Sequence, residues 1–258
     1  MKKIRKILIM GLPGSGKTTL AKRIVSKLKA GWVNADKIRK KYNDWDFSPK
    51  GRLRQAERLN KISNKMLKSK KFVVVDFICP TEKSRKAFKS DLVIWMNTIK
   101  VSRYHNINKI FTKPKRFDFE ITSKNSELWS YPIIDKIYGY TWNNQAPTTQ
   151  MLGRFQPWHL GHRLLFENAL LRRGQVNIQV KNVWKIGDNP LSFTQVKKRI
   201  IHDLKYFKKR LKITHMPNIS EIIYGRKVGY KISKINLPMK IQKISGTKIR
   251  KLHKNKVK

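Results

Sequence analysis

The chain of 258 residues is 40% hydrophobic and 10% aromatic, which is enough apolar material for packed cores and excludes disorder over most of its length. A single cysteine, Cys79, excludes an internal disulfide framework and leads us to expect a cytoplasmic protein. The formal charge of +45, from 60 Lys and Arg against 15 Asp and Glu, leaves nucleic-acid binding possible but does not favour it, because the lysines are scattered.

The first hundred residues have the pattern of a parallel α/β sheet, in which short apolar runs alternate with stretches of helical spacing. Strands are predicted at residues 6–10, 31–34, 72–77 and 92–96, and helices at residues 17–29, 52–68 and 81–88. None of the apolar runs approaches the ~20 residues that a membrane span requires, so we expect a soluble protein with no membrane partner.

Residues 11–18, which read GLPGSGKT, match the phosphate-loop pattern between the first predicted strand and the first predicted helix. Glycines let backbone N–H groups curl around phosphates, and the helix N-terminus adds partial positive charge. Lys17 is expected to reach the β- and γ-phosphates of ATP as a catalytic residue, and the Thr18 hydroxyl is expected to bind Mg²⁺. The predicted ATP-binding residues are Gly11, Gly14, Ser15, Gly16, Lys17, Thr18 and Thr19.

Two carboxylates follow predicted strands in this half of the chain. Asp36 stands after the second strand and three residues before Arg39, and Asp76 closes the third strand. Asp36 can orient or deprotonate an acceptor hydroxyl as a catalytic residue while Arg39 holds the anion of the acceptor, although Asp36 also suits a helix cap. Both carboxylates are candidate Mg²⁺ ligands together with Thr18.

Three segments of this half resemble adenylylsulfate kinases. Residues 34–39, NADKIR, are similar to that family's Asp-Gly-Asp-Asn-x-Arg, residues 46–48, DFS, to its Gly-Phe-Ser, and residues 77–80, FICP, to its Phe-Ile-Ser-Pro. The family's Arg-Asp-x-Lys-Gly-Leu-Tyr lid has no counterpart after Trp95, so the identity of the acceptor stays open. The other departures are Asn34 for Asp, Gln55 for Asn and Cys79 for Ser.

The resemblance covers about the first ninety residues and implies the residues of an acceptor site. Phe47 would stack on the adenine of adenylylsulfate, and Arg39 and Arg52 would hold its phosphosulfate. Gln55 and Ile78, which stand at positions of the family's motifs, would complete the site.

A second α/β pattern follows residues 112–145, which are aromatic, basic and weakly periodic. Residues 143–147, NNQAP, are typical of a linker, so the predicted domains are 1–146 and 147–258. Strands are predicted at residues 150–153, 176–180 and near 221–224, helices at residues 162–172 and 193–208, and a solvated tail at residues 254–258.

Residues 153–162, GRFQPWHLGH, resemble the Gly-x-Phe-x-Pro-x-His-x-Gly-His signature of nicotinamide-mononucleotide adenylyltransferases and related nucleotidyltransferases. The predicted strand, turn and helix bring two imidazoles to a helix N-terminus, where phosphate is favoured. His159 and His162 can donate hydrogen bonds to an α-phosphate as catalytic residues, and Arg154 is a candidate phosphate ligand. The alternatives are a structural histidine pair or a zinc pair, but no Cys or acidic cluster completes a metal site.

Residues 244–250, ISGTKIR, look like the Ile-Ser-x-Thr-x-x-Arg element of the same nucleotidyltransferases. The resemblance implies that Ser245 and Thr247 begin a helix whose N–H groups meet the triphosphate, and that Arg250 supplies charge. An ordinary helix cap is the alternative. Tyr224, which precedes this element, is expected to line the nucleotide pocket together with the two residues after it.

These patterns predict an α/β protein in which a P-loop kinase domain with a parallel sheet precedes a Rossmann-like HxGH nucleotidyltransferase domain. The kinase would phosphorylate the 3′-hydroxyl of adenylylsulfate with ATP and Mg²⁺, and the second domain would release pyrophosphate from a nucleoside triphosphate. Three alternatives stay open: a nicotinamide riboside kinase joined to a nicotinamide-mononucleotide adenylyltransferase, a polynucleotide 5′-kinase, and a nucleic-acid-binding protein without activity. The partners are expected to be small nucleotide substrates, and the sequence indicates no oligomeric state.

Overall fold

The computed structural model describes residues 3–223, 225–226, 229 and 231–254. It divides into two compact units, unit 1 (Met1–Gly139) and unit 2 (Tyr140–Lys258), whereas the linker pattern predicts a boundary after residue 146. The segment before Pro147 belongs to unit 2 because the buried side-chain amide of Gln175 donates to the carbonyl oxygens of Asn143 and Ala146, at 2.7 and 3.3 Å.

Unit 1 is built on a five-stranded parallel sheet with the order β2-β3-β1-β4-β5. Its central strands β1 and β3 are almost entirely buried, as their continuous apolar runs predict. The four strands that the sequence predicts are confirmed to within one residue at each end. The strands are β1 (Lys6–Gly11), β2 (Gly31–Asn34), β3 (Val73–Phe77), β4 (Leu92–Met96) and β5 (Phe119–Ile121).

Helices connect and cover these strands. They are α1 (Lys17–Leu28), α2 (Ala35–Lys41), α3 (Pro49–Met66), α4 (Glu82–Phe88), α5 (His105–Ile110) and α6 (Ser126–Tyr138). The helix predicted from residue 52 begins at Pro49 instead, because the Ser48 hydroxyl caps it by accepting a hydrogen bond from Gly51 N at 3.1 Å. The short helix α2 is missed by the sequence pattern, and Asn34 caps it by accepting from Lys37 N at 3.1 Å.

The sheet of unit 1 is covered on both faces, and this packing holds the ends of its strands in place. Leu8 and Met10 of β1 pack in one cluster with Leu59 of α3 and Phe88 of α4. The alternate β1 side chains point to the opposite face, where α1 packs against the sheet and against α6. The weakly periodic residues 112–145 thus supply β5 and α6, which complete unit 1.

Unit 2 contains a three-stranded parallel sheet with the order β6-β7-β8. The strands are β6 (Thr149–Gly153), β7 (Val176–Lys181) and β8 (Leu211–Met216), and the helices are α7 (Leu160–Arg173), α8 (Phe193–Asp203), α9 (Met239–Gln242) and α10 (Gly246–Lys254). α7 packs on β6 and β7. Buried side chains such as Ile178 of β7, Phe166 of α7 and Ile200 of α8 form its core. Across the part of the chain that the structure describes, no helix is both long and apolar enough to cross a membrane.

Two predictions for unit 2 are wrong. The predicted third strand near residues 221–224 is not observed: residues 221–223 are irregular, Tyr224 lies outside the described residues, and the third strand is β8. The predicted helix 193–208 ends at Asp203, because the chain turns there and Phe207 packs edge-on against Phe166, with ring centroids 5.8 Å apart. Of the predicted tail, residues 255–258 lie outside the described residues.

Candidate active sites

The phosphate loop of unit 1 joins β1 to α1 in a conformation that its glycines allow. Gly11 and Gly16 have φ of 148° and 93°, which residues with a side chain rarely adopt. A Cβ atom at Gly11 would also lie only 2.6 Å from the carbonyl oxygen of Met96. Gly16 caps α1 without a side-chain hydrogen bond, so the N–H groups at the start of α1 are left for an anion.

Two polar side chains of this loop are poised for a ligand. The Lys17 ammonium donates to the carbonyl oxygen of Leu12 at 2.9 Å. Burial lowers the pKa of Lys17 from 10.5 to about 8, and the carboxylates of Asp76 and Asp36 oppose that shift. The buried Ser15 hydroxyl has no hydrogen-bond partner among the described residues, which is unusual for a buried polar atom unless a ligand supplies the partner.

A carboxylate stands directly beside the loop. Thr18 donates its hydroxyl to Asp76 Oδ2 at 2.7 Å, and Asp76 is only 2% exposed. The indole nitrogen of Trp32 donates to Asp76 Oδ1 at 2.7 Å, and the amide of Asn34 donates to Oδ2 at 2.9 Å. A hydroxyl and a carboxylate at this spacing are ligands that Mg²⁺ takes in proteins, so the residues fit the predicted metal site.

Asn34 has two tasks that explain why an amide stands where the adenylylsulfate kinases have an aspartate. Its oxygen caps α2, and its nitrogen donates to Asp76. A second carboxylate would repel Asp76 instead. Asn34 is therefore the cap of α2, whereas Asp36 lies exposed in the first turn of that helix. The Asp36 carboxylate is close enough to oppose the lowering of the pKa values of Lys17 and Arg39, both of which fall chiefly through burial.

The predicted acceptor residues are grouped around Phe47. The Arg39 and Arg52 guanidinium carbons lie 4.7 and 5.5 Å from the centroid of its ring, and the Phe47 side chain is 52% exposed. Arg39 is buried and donates to the carbonyl oxygens of Asp44 and Asp46 at 2.8 and 3.1 Å, so it also holds the shape of this loop.

Gln55 and Ile78 have different surroundings from the exposed Phe47. The Gln55 side chain is 3% exposed, donates to the Ala35 carbonyl at 3.1 Å and accepts from Arg58 at 2.7 Å. This amide thus connects α3 to α2. Gln55 can contribute to acceptor binding only by positioning Arg58, to which it is hydrogen-bonded. Ile78 is partly buried beside the phosphate loop, where its carbonyl accepts from Gly11 N at 3.4 Å.

Two residues near the phosphate loop are missed by sequence reasoning. Thr98 donates its hydroxyl to the Ser15 carbonyl at 2.7 Å, and the Lys124 stem lies 3.7 Å from where a Cβ of Gly16 would stand. Lys124 is exposed, so its ammonium is free to extend toward phosphates bound at the loop. No sequence signal marks either residue, because both are far from the loop along the chain.

The histidine motif of unit 2 forms the start of α7. His159 caps this helix, and its Nδ1 accepts a hydrogen bond from Gly161 N at 3.1 Å. Because Nδ1 is an acceptor, the proton of the neutral ring is assigned to Nε2, which can donate. The His162 ring stacks on the His159 ring, with centroids 3.8 Å apart. Burial lowers the pKa of His159, and burial followed by the neighbouring His159 lowers that of His162 to about 3.

The C-terminal element of unit 2 lies against this motif. Arg250 donates to the carbonyl oxygen of Gln156, and a Cβ at Gly246 would lie 2.6 Å from the same oxygen. The Ser245 hydroxyl accepts from Lys248 N at 3.2 Å, and Arg250 donates to the Thr247 hydroxyl at 3.1 Å. The two predicted motifs of unit 2, distant in sequence, are therefore neighbours in space. Arg154 is exposed in the turn that follows β6.

Comparisons with known proteins concern one part of the chain. A family model described as an AAA domain matches residues 7–90, which is less than half of the chain, and no curated protein matches. An APS kinase of Mycobacterium tuberculosis is 22% identical over 52% of this chain and 97% of that chain, with a TM-score of 0.41.

Two further solved structures are similar at the same level. A shikimate kinase from Acinetobacter baumannii in complex with shikimate is 16% identical over 52% of this chain and 93% of that chain, with a TM-score of 0.39. A sugar kinase from a Janibacter species is 12% identical over 53% of this chain and 96% of that chain, with a TM-score of 0.44.

Proposed function

We propose that unit 1 is an ATP-dependent kinase that phosphorylates a hydroxyl group of a nucleotide acceptor. The observation that carries this proposal is the 2.7 Å hydrogen bond between Thr18 and Asp76, next to Lys17 and a glycine loop whose N–H groups face an anion site. Hydroxyl, carboxylate and ammonium groups in this arrangement suit a nucleoside triphosphate with its metal ion. A glycine turn without a ligand would not need them.

The residues of unit 1 have distinct tasks in this reaction. Lys17 neutralises charge on the β- and γ-phosphates, and Thr18 and Asp76 hold Mg²⁺, which supplies electrostatic stabilisation when it is bound. Asp36 accepts the proton of the acceptor hydroxyl. The hydroxyl oxygen forms a bond to the γ-phosphorus while the bond from that phosphorus to the β,γ-bridging oxygen breaks, and ADP leaves.

Adenylylsulfate, through its 3′-hydroxyl, is the acceptor that we propose first. Phe47 offers an exposed ring for an adenine, and Arg39 and Arg52 stand beside that ring, where they can hold an anion.

A polynucleotide 5′-hydroxyl is the second candidate acceptor, and one observation favours it. Tyr42, Trp45 and Phe47 are each about half exposed within one short loop, at 51%, 54% and 52%. Arg58 lies 4.7 Å from the Tyr42 ring centroid, which adds a cation to this aromatic surface. Successive exposed rings with cations between them suit a single strand whose bases stack in turn.

For unit 2 we propose nucleotidyl transfer with release of pyrophosphate. The His159 and His162 rings stand at the N-terminus of α7, and Arg250 is held against the same motif. Neutral imidazoles can donate to an α-phosphate as charge develops on it, while an acceptor phosphate oxygen bonds to the α-phosphorus and pyrophosphate leaves. The resemblance to nicotinamide-mononucleotide adenylyltransferases makes that mononucleotide the first acceptor to test.

The experiment that tests both proposals is a substrate panel with γ-labelled and α-labelled ATP. The acceptors are adenylylsulfate, nicotinamide riboside, nicotinamide mononucleotide and an oligonucleotide with a 5′-hydroxyl. We expect γ-label transfer that Lys17→Ala abolishes and α-label transfer that Lys17→Ala leaves nearly intact. Equal loss of both activities in this variant would contradict two separate sites, and no transfer to any acceptor would leave the chain a binding protein.

A further inference from the structure

Among the described residues of unit 2, α7 packs on one face of the sheet, and side chains on the other face are open to solvent. Met151, Ile178 and Val180 are at most 4% exposed on the covered face. The side chains that alternate with them point to the other face, where Gln150, Leu152 and Lys212 are exposed and Gln179 is partly exposed, while Met216 at its far end is buried. A parallel sheet usually has both faces covered and reads as apolar throughout, so a largely open face with mostly polar residues at the amino ends of its strands calls for an explanation.

The open face carries amide, hydroxyl and ammonium groups in register. Gln150, Asn177 and Lys212 are opposite one another on β6, β7 and β8. Gln150 donates to Gln179 Oε1 at 2.9 Å, and Thr214 donates to Asn177 Oδ1 at 3.3 Å. Each side-chain amide combines a donor with an acceptor, which is the pattern that the edges of nucleobases present.

An aromatic ring borders this face at the start of the strands. Trp142 donates from its indole nitrogen to Asn144 Oδ1 at 2.9 Å, and Lys212 donates to the same oxygen at 2.8 Å. The Lys212 ammonium lies 5.0 Å from the Trp142 ring centroid. A cavity of about 370 Å³ opens here, within the size range of small-ligand sites. Its lining comprises Trp142, Asn144, Thr148, Gln150, Asn177, Lys212 and Thr214.

The segment that carries Trp142 is held in place by contacts with Gln175 and Arg210. Gln175, which is 1% exposed, donates to Thr148 Oγ1 at 2.6 Å and accepts from the Tyr140 hydroxyl at 2.7 Å. Arg210 lies over the Tyr140 ring, 3.8 Å from its centroid, and donates to the Gly174 carbonyl at 2.9 Å. A ring fixed in this way loses little conformational freedom when a base stacks on it.

The charge of unit 2 complements a polyanion. Its sequence has only four acidic residues, Glu167, Asp188, Asp203 and Glu221, and none of them belongs to β6, β7 or β8. Arg163 already binds two of them, Glu167 at 3.0 Å and Asp203 at 2.8 Å. The strands contribute Lys181 and Lys212 on the open face, so phosphates that approach it meet no carboxylate from the sheet.

We propose that this open face binds single-stranded nucleic acid, with one base stacked on Trp142 and a phosphate held by Lys212. The site is separate from the histidine motif, because the cavity lies at the amino ends of β6, β7 and β8, whereas His159 follows the carboxyl end of β6. The proposal does not depend on either proposed transfer activity. RNA and DNA share the chemistry that the face recognises, and the experiment distinguishes them.

The test is fluorescence anisotropy with the full chain and labelled 12-nucleotide strands of uridine RNA and thymidine DNA, in saturating ATP and Mg²⁺ at two salt concentrations. We expect binding that weakens as salt rises, and a loss of about tenfold in Trp142→Ala and in Lys212→Glu. Trp184→Ala is the control, since Trp184 is a half-exposed tryptophan of the same unit with a lysine 4.7 Å from its ring, and we expect it to stay within about twofold.

Several outcomes would overturn the proposal. The first is that neither strand shows salt-sensitive binding, and the second is that Trp142→Ala and Trp184→Ala lose equal affinity. The third is that the chain binds no strand but forms a dimer that Lys212→Glu dissociates, which would make this face an interface between two copies of the chain. Trp142→Phe should keep most of the affinity, because a ring is retained. If Trp142→Ala does not fold, Lys212→Glu and Trp142→Phe together still decide the question. The strand that binds with the higher affinity identifies RNA or DNA as the ligand.

Discussion

The imidazole rings of His159 and His162 stack with their centroids 3.8 Å apart and an interplanar angle of 27°. Two rings this close cannot both carry a proton at low cost, because like charges repel and both rings are removed from much of the solvent. The pair is therefore neutral near pH 7. Neutral imidazoles serve as hydrogen-bond donors rather than as fixed cations at a phosphate site.

The first prediction concerns the titration of His162. Its pKa is about 3 in the folded chain against 6.5 in an unfolded one, so the unfolded chain binds a proton that the folded chain does not. The free energy of unfolding should fall as the pH is lowered from about 6.5 toward about 3, and this slope should be smaller in His162→Gln. Imidazole NMR shifts check the cause directly: a His162 resonance that titrates near pH 6.5 would contradict it.

The second prediction concerns Lys17, whose pKa burial lowers to about 8. The charged ammonium attracts phosphates, so ATP affinity should fall as the pH rises through about 8, before an ordinary lysine would lose its proton. Calorimetric titration of ATP between pH 7 and pH 9.5 measures this. Lys17→Arg keeps its charge over that range, so an equal fall in its affinity would assign the pH dependence to another group.

Local motifs account for the part of both sites that the sequence predicts. Gly11 to Thr18 and His159 to His162 are contiguous, so their residue types specify a turn and a helix start without any knowledge of the rest of the chain. Thr98 and Lys124 could not be placed in the same way, because they reach the phosphate loop only through the strand order of unit 1. Distance along the chain hides such neighbours.

Strand β8 shows a second reason why part of the fold is missed. Its alternate residues Lys212 and Thr214 are polar because they lie on the open face of the sheet, so the apolar signal of the strand is weak. The sequence pattern instead predicts the strand near residues 221–224, because Ile222 and Ile223 are more apolar. These two side chains are 54% and 84% exposed in an irregular segment. A strand with one face open to solvent is therefore difficult to predict from a run of apolar residues.

The third prediction concerns Asn34→Asp, which introduces the residue found at this position in the adenylylsulfate kinases that residues 34–39 resemble. Aspartate still caps α2, so the change isolates the contact with Asp76. It replaces a hydrogen bond by two adjacent carboxylates, and the free energy of unfolding should fall by about 1–3 kcal/mol. Thermal unfolding with and without Mg²⁺ tests this: the ion should restore more stability to the variant than to the wild type. An equal gain in both would indicate that Mg²⁺ does not bind beside Asp76.

The fourth prediction concerns the exposed ring of Phe47. If adenylylsulfate is the acceptor, Phe47→Ala should raise its KM by about 5- to 150-fold, which corresponds to the ~1–3 kcal/mol of a base-stacking contact, with little effect on the KM of ATP. Trp45→Ala is the control, since that side chain is equally exposed but lies outside the predicted acceptor residues. A polynucleotide acceptor should instead be weakened by both changes. Unchanged KM values in Phe47→Ala would remove this ring from the acceptor site.

The last prediction separates binding from catalysis in unit 2. His162 lies in the first turn of α7 and should meet the α-phosphate most strongly when charge develops there during nucleotidyl transfer. In His162→Ala, Ser245, Thr247 and Arg250 remain next to the motif, so nucleotide affinity should change by only a few fold. Turnover should fall by about 10²–10³, the loss that follows removal of one preorganised donor to a developing charge.

Pyrophosphate release and nucleotide affinity, measured side by side for wild type and His162→Ala, give the two quantities. Arg250→Ala is the informative companion variant, because it removes the contact to the Gln156 carbonyl as well as a proposed phosphate ligand. It should weaken nucleotide affinity more than His162→Ala does, while kinase activity persists in both variants. If turnover is unaffected by the loss of His162, this imidazole does not act on the α-phosphate, and the activity does not depend on the histidine motif in the way proposed.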